Sequence, residues 1–194
     1  AWWASIMSFP VFPRQGVRVE GDSPQRHVEA FLKMRPSARW VLLGGHAVMG
    51  DEQLWTAWIQ AARNALRERM VARSIDAEFL RYLAGTHHIS EAFTRAGLQK
   101  GQTAAWVVYL PEAKGLENDL GHLQPVASEN AAFSEQLSTL LDQLDWAPET
   151  TEATYSIEGA RKLGIDAEGW DDARAPESII AHILMADDQS SSHR

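Results

Sequence analysis

The sequence predicts an α/β (α+β) fold: a single domain over residues 1–194 in which a small mixed or antiparallel sheet is flanked by helices. Three observations carry that expectation. Two apolar runs, Trp40-Val41-Leu42-Leu43 and Trp106-Val107-Val108-Tyr109, are short, rich in strand formers and suited to a sheet buried on both faces. Between them Leu54, Trp55, Trp58, Ile59, Ala62, Leu66 and Met70 recur at helical spacing and mark a central helix. The 194 residues are 45% hydrophobic with eight Trp, enough for one sizeable core, and the chain contains no internal repeat.

Taken in order, Val17-Arg18-Val19 alternates like a half-buried strand. Ser23-Pro24 supplies an N-cap and first-turn proline for a helix with Val28, Phe31 and Leu32 on one face, stopped by Pro36. The strand at 40–43 runs into Gly44-Gly45. Asp51-Glu52 then open the central helix, which lacks Gly and Pro through Arg73 and is predicted to run unbroken over 51–72. Ser74 or Asp76 caps the next helix. Gly85 and Gly97 each stand where a left-handed residue would end a helix, with His87 to Ala96 between them. The strand at 103–110 closes at Pro111, and a polar loop runs from Gly115 to Pro125. Ser128 caps a helix with Phe133, Leu137, Leu140, Leu141 and Leu144 inward, and Pro148–Thr154 reads as a bend. A short helix over 157–163 stops at Gly164, and a last helix from Ala175 buries Ile179, Ile180, Ile183 and Leu184. Residues 187–194 are polar and read as a frayed tail.

The net charge of −8 hides an asymmetry. Residues 1–100 carry 13 Lys and Arg against 9 Asp and Glu, whereas residues 101–194 carry 5 against 17. Overall acidity argues against a DNA or RNA coater that works by neutralising phosphates, but leaves room for a basic half meeting nucleic acid and an acidic half meeting another partner. A solubilising acidic surface explains the same sums. No apolar run approaches the roughly 20 residues that span a bilayer. Trp2-Trp3-Ala4-Ser5-Ile6-Met7 lacks the basic flank of a signal peptide. With no cysteine the chain makes no disulfide and offers no thiolate, which fits the cytoplasm.

Candidate chemistry is sparse. His87 and His88 are adjacent, so on a helix they point about 100° apart and do not share a metal ion. Glu91 suits them as a helix-surface partner, and the helix start they occupy could meet a phosphate. Gly44–Gly50 lies between strand and helix, where phosphate loops occur, yet lacks the Gly-Lys-Ser/Thr ending; it reads as a plain turn or as a nucleotide site. No nucleophile–base arrangement appears, and no residue is assigned a catalytic, metal or cofactor role. Arg63, Arg67, Arg69 and Arg73, with Arg81 and Arg95 downstream, are all Arg rather than Lys, which suits bidentate phosphate binding or an ordinary solvated helix face.

The order of these segments resembles the small kinase-binding subunit of the KEOPS tRNA-modifying complex. The resemblance lies in Val41-Leu42-Leu43, Ala61-Ala62-Arg63-Asn64-Ala65, Glu78–Gly85, His87–Phe93, Gly97-Leu98 and Trp106–Tyr109, and continues with Ala160–Ile165 and Pro176–Ile180. Residues 1–22 match loosely, and His87-His88 stand where members usually carry Arg-Gln. The resemblance implies a non-enzymatic subunit that binds an atypical kinase/ATPase and helps recruit tRNA by its 3′ CCA end for threonylcarbamoyladenosine formation at position 37. On that implication Arg63, Arg67, Arg81, His87, His88 and Arg95 are the tRNA-contacting candidates. Glu177, Ile180 and Leu184, in the acidic half, are the kinase-facing ones. The alternative is a small-molecule-binding or hydrolytic α/β domain using Gly44–Gly50 and the histidines.

Overall fold

A computed structural model describes residues 10–21, 23–114, 124–125 and 129–188. The elements are β1 (Arg14–Arg18), α1 (Pro24–Met34), β2 (Trp40–Gly44), α2 (Asp51–Leu66), α3 (Ile75–Leu83), α4 (Ile89–Ala96), β3 (Ala104–Tyr109), β4 (Ala113–Lys114), β5 (Gln124–Pro125), α5 (Glu129–Leu144), β6 (Ala147–Glu149), α6 (Ile157–Lys162) and α7 (Ala175–Leu184). The main sheet is antiparallel throughout, in the order β2-β3-β1-β6. That settles the choice between mixed and antiparallel.

The twofold alternation of strand side chains divides the core into two clusters. Val41, Leu43, Trp106 and Val108 face α2, α3, α4, α6 and α7. Trp40, Leu42, Ala105, Val107 and Val17 face α1 and α5. On that second side Phe31 of α1 stacks on Trp146 at 6.3 Å with rings nearly parallel. The apolar strands are thus covered by helices on both faces, as their composition predicts.

Four expectations need correcting. The central helix does not run over 51–72 but ends at Leu66. Glu68 takes a left-handed conformation (φ 55), its amide donates to the Ala65 carbonyl, and the Arg69 amide donates to the Asn64 carbonyl. That is a Schellman stop built without glycine, so nothing in the sequence marked it. Leu66 is consequently exposed.

Gly97 ends α4 with extended backbone (φ −74), not left-handed. An added Cβ would sit 2.4 Å from the Phe93 carbonyl oxygen, so close approach, not positive φ, favours glycine there.

The bend at 148–154 contains a strand, because Ala147–Glu149 pairs with β1 as the edge of the sheet. Pro148 suits an edge position, where a missing amide costs no internal ladder bond.

On α7, Ile179 and Ile183 are fully buried, Ile180 is half-buried and Leu184 is exposed, so Leu184 is not a core residue. Gly85 and Gly164, in contrast, take the expected positive φ of 63 and 79. The Gly115–Pro125 loop expectation falls largely outside the described residues, as do Ser128, Trp2-Trp3 and residues 189–194.

Candidate partner-binding site

The α3–α4 turn is where charged and polar side chains from four helices meet. Gly85 closes α3, with its amide on the Tyr82 carbonyl and the Thr86 amide on the Arg81 carbonyl, each at 3.0 Å. Its positive φ is one reason for glycine. The other is His182 of α7, which lies across the turn so closely that an added Cβ would be 1.9 Å from its Cδ2. Thr86 then starts α4: its hydroxyl donates to Glu91 Oε2 and accepts from the His88 amide. Arg95, one turn after Glu91, pairs with Glu91 Oε2 at 3.1 Å and lies over Gly164.

Behind the turn sits a buried ion cluster. α3 is enclosed around nearly its whole circumference, and residues 76–83 are all buried. A charged side chain on such a helix must carry its partner inside with it. Arg81 has one in Glu78, both with fully buried side chains, at 2.7 Å. The other Glu78 oxygen accepts from the Val71 amide at 2.7 Å, tying the α2–α3 connection to α3. Arg81 Nη1 also pairs with Asp187 Oδ1 at 2.8 Å. Burial opposes the Arg81 charge, but the bonds to Asp187 and Glu78 outweigh it and leave its pKa raised. Tyr82 donates to Asp187 Oδ2 at 2.7 Å and accepts from Asn64 Nδ2 at 2.7 Å. Burial, reinforced by Asp187, pushes the Tyr82 phenol up to about 12. Asp187 is therefore an anchored residue rather than part of a frayed tail.

The structure places the sequence-predicted residues unequally. His87 is partly exposed, with Nδ1 4.0 Å from Asp187 Oδ1, and His88 is exposed. Their rings stand perpendicular, 6.1 Å apart, and no group of three His, Asp or Glu among the described residues could hold a metal ion. Arg63 lies on the last turn of α2, beside Asn64, and Arg67 caps its C-terminal end. The Asn64–Tyr82–Asp187 chain connects that end of α2 to the histidine turn. Arg81 departs from expectation: its side chain is wholly interior, so it acts on the surface only through Asp187. Asn64, His182 and Asp187 were not singled out from sequence as site residues. For Arg81 the apolar density of Phe79, Leu80, Tyr82 and Leu83 was the readable sign of burial.

The Gly44–Gly50 turn is filled from within. Gln53, fully buried, accepts from the Met49 and Gly50 amides at 2.7 and 3.4 Å and donates to the Ala47 carbonyl at 2.9 Å. The Gln53 amide is taken by the Tyr155 hydroxyl at 2.9 Å. The Met49, Gly50 and Gln53 amides, which could otherwise help to cradle a phosphate, are thus engaged. His46 is equally committed: Gln102 donates to Nδ1, which assigns the proton to Nε2, 2.6 Å from the Arg95 carbonyl. These contacts read as a structural turn rather than a nucleotide site.

Burial lowers the pKa of both His46 and His182, with Lys162 adding to the effect at His46 and Arg95 at His182. Folded-state values below the ordinary 6.5 mean that the unfolded chain takes up protons first as pH falls. Their contribution to stability is full above 6.5 and declines below it. Asp187, whose pKa is lowered by Tyr82 and Arg81 against the opposing effect of burial, adds a further loss below its ordinary 3.8. The expected result is a lower urea midpoint at about pH 5.5 than at about pH 7.5. An unchanged midpoint would contradict these assignments.

Comparison with known families gives this geometry a context. The profile of the kinase binding protein CGI-121 matches residues 24–185. The chain belongs to the CGI-121 family. No curated protein matched it. The match makes this CGI-121 chain a kinase-binding protein and extends from the start of α1 to the end of α7, including the histidine turn. Within α7, Glu177 is exposed, Ile180 half-buried and Leu184 51% exposed, so outward side chains are available on the helix whose inner face holds Ile179 and Ile183. No helix among the described residues is long and apolar enough to cross a membrane.

Proposed function

We propose that this CGI-121 chain is a non-catalytic subunit of the KEOPS complex in the cytoplasm. It binds the atypical kinase/ATPase and helps recruit tRNA through the 3′ CCA end for threonylcarbamoyladenosine formation at position 37. The observation that carries the reading is the kinase-binding family match over 24–185. Kinase contact is assigned to Glu177, Ile180 and Leu184, since a partner adds most where apolar side chains stand outward within a charged rim. RNA contact is assigned to Arg63, Arg67, His87, His88 and Arg95. Arg and His beside exposed Phe93 are the residue types that grip a single strand by phosphate contact and stacking.

Two measurements test this. Full-length tRNA should bind more tightly than tRNA lacking CCA, and Arg63→Ala/Arg67→Ala should abolish that preference. The slope of log affinity against log salt should become shallower by about 0.7 for each phosphate that the variant no longer neutralises. Equal binding of both tRNAs by wild type would reject the RNA assignment. Separately, Glu177→Lys/Ile180→Asp should weaken kinase pull-down while the far-UV spectrum stays native. Retained pull-down would move the kinase surface elsewhere.

A further inference from the structure

The Asp187 carboxylate sits among groups that commonly surround a phosphate. Arg81 Nη1 lies 2.8 Å from Oδ1 and the Tyr82 hydroxyl 2.7 Å from Oδ2. The Arg81 side chain is fully buried, and its guanidinium also stacks over the Tyr82 ring at 4.6 Å, so this donor is held rigidly. His87 Nδ1 is a buried atom without a hydrogen-bond partner, and it faces the same carboxylate from 4.0 Å. A planar carboxylate satisfies the Arg and Tyr but leaves the imidazole out of reach. A tetrahedral phosphate, with more oxygens spread more widely, can meet all three.

The charges point the same way. Arg81 is one cation shared by two carboxylates. Glu78, fully buried and also bound to the Val71 amide, is fixed, whereas the Asp187 side chain is 53% exposed and lies beyond the end of α7. Of the two acids, Asp187 is the one that can leave without stranding Arg81, because Glu78 stays paired with it.

We infer that Arg81, Tyr82 and His87 form a phosphate-binding site for single-stranded RNA whose internal occupant is Asp187. This rests on the RNA reading above and gives it a specific anion site. Asp187 competes with RNA for the site, and Arg81 becomes a phosphate ligand once Asp187 swings out.

The test begins with inorganic phosphate, which does not depend on the tRNA reading. Asp187→Ala should be stabilised by phosphate in thermal melts more than wild type, and Tyr82→Phe in the Asp187→Ala background should remove the gain. Asp187→Asn, which keeps the hydrogen-bonding shape but not the charge, gives the same comparison if the alanine variant folds poorly. Chloride at matched ionic strength controls for salt. A short RNA ending in CCA should then bind Asp187→Ala about tenfold more tightly than wild type. A residue serving only to hold the fold would lower affinity when removed. No extra phosphate stabilisation in either variant overturns the site. Phosphate stabilisation with unchanged RNA affinity overturns its assignment to RNA and leaves a free phosphate as ligand. A wild type that binds no tRNA while Asp187→Ala still gains phosphate binding would count against the functional reading and not against the site.

Discussion

Replacing Arg81 with methionine is expected to lower unfolding free energy by about 3–5 kcal/mol, because it leaves a buried carboxylate without its cation. Glu78 keeps only the Val71 amide, and its side chain is fully buried beside the vacated position. Restoring charge balance with Glu78→Gln in the same chain should recover part of the loss, since the penalty lies in the unpaired charge more than in the missing bond. Urea denaturation of the two single variants and the double variant gives the coupling directly. A loss below about 1 kcal/mol for Arg81→Met would show that water reaches Glu78 and that the cluster is not sealed. The cluster joins the α2–α3 connection, the body of α3 and the residues after α7, so the losses should appear as global rather than local unfolding.

Trp58→Ala is expected to cost a similar amount, about 3–5 kcal/mol. Trp58 is 3% exposed on the inner face of α2, and its indole donates to the Pro111 carbonyl at 2.8 Å. It packs edge-on against Trp55 at 5.4 Å and lines a depression of about 240 Å³ with Ala62, Leu66 and Pro111. Truncation removes a large apolar surface, enlarges that space and leaves the Pro111 carbonyl with Arg39 Nη1, at 3.1 Å, as its remaining donor. Trp58→Phe keeps most of the packing and should lose about 1–2 kcal/mol. Equal losses for phenylalanine and alanine would mean that the hydrogen bond, not the ring volume, carries the effect. An unchanged m-value is expected for both, as neither substitution alters the surface exposed on unfolding.

Local pattern made much of the chain legible. The apolar runs at 40–43 and 103–110, the helical stripe of α2, the prolines flanking α1 and the glycines at 85 and 164 each act through the residue's own backbone preference or period. The same physics makes their absence misleading. Glu68 ends α2 in a conformation that glycine usually takes, so the helix looked longer than it is. Three residues around Pro148 are too few to show a strand period, and only pairing with β1 makes them one.

By itself the sequence determined an α/β chain with helices against a sheet, the position of most helices, the absence of cysteine chemistry and the resemblance later matched by a kinase-binding family. These rest on composition, on periods of 2 and 3.6, and on motif order, all of which survive being read in one dimension. The tertiary structure decided which charges face solvent. Arg63 and Arg81 look alike in sequence, but α2 has an open side where it ends, whereas α3 is enclosed along its whole length. It also decided that Asp187, 106 residues after Arg81, is that buried cation's second partner. An ion pair across such a separation leaves no spacing to read, because chain folding and not local geometry brings the two groups to 2.8 Å.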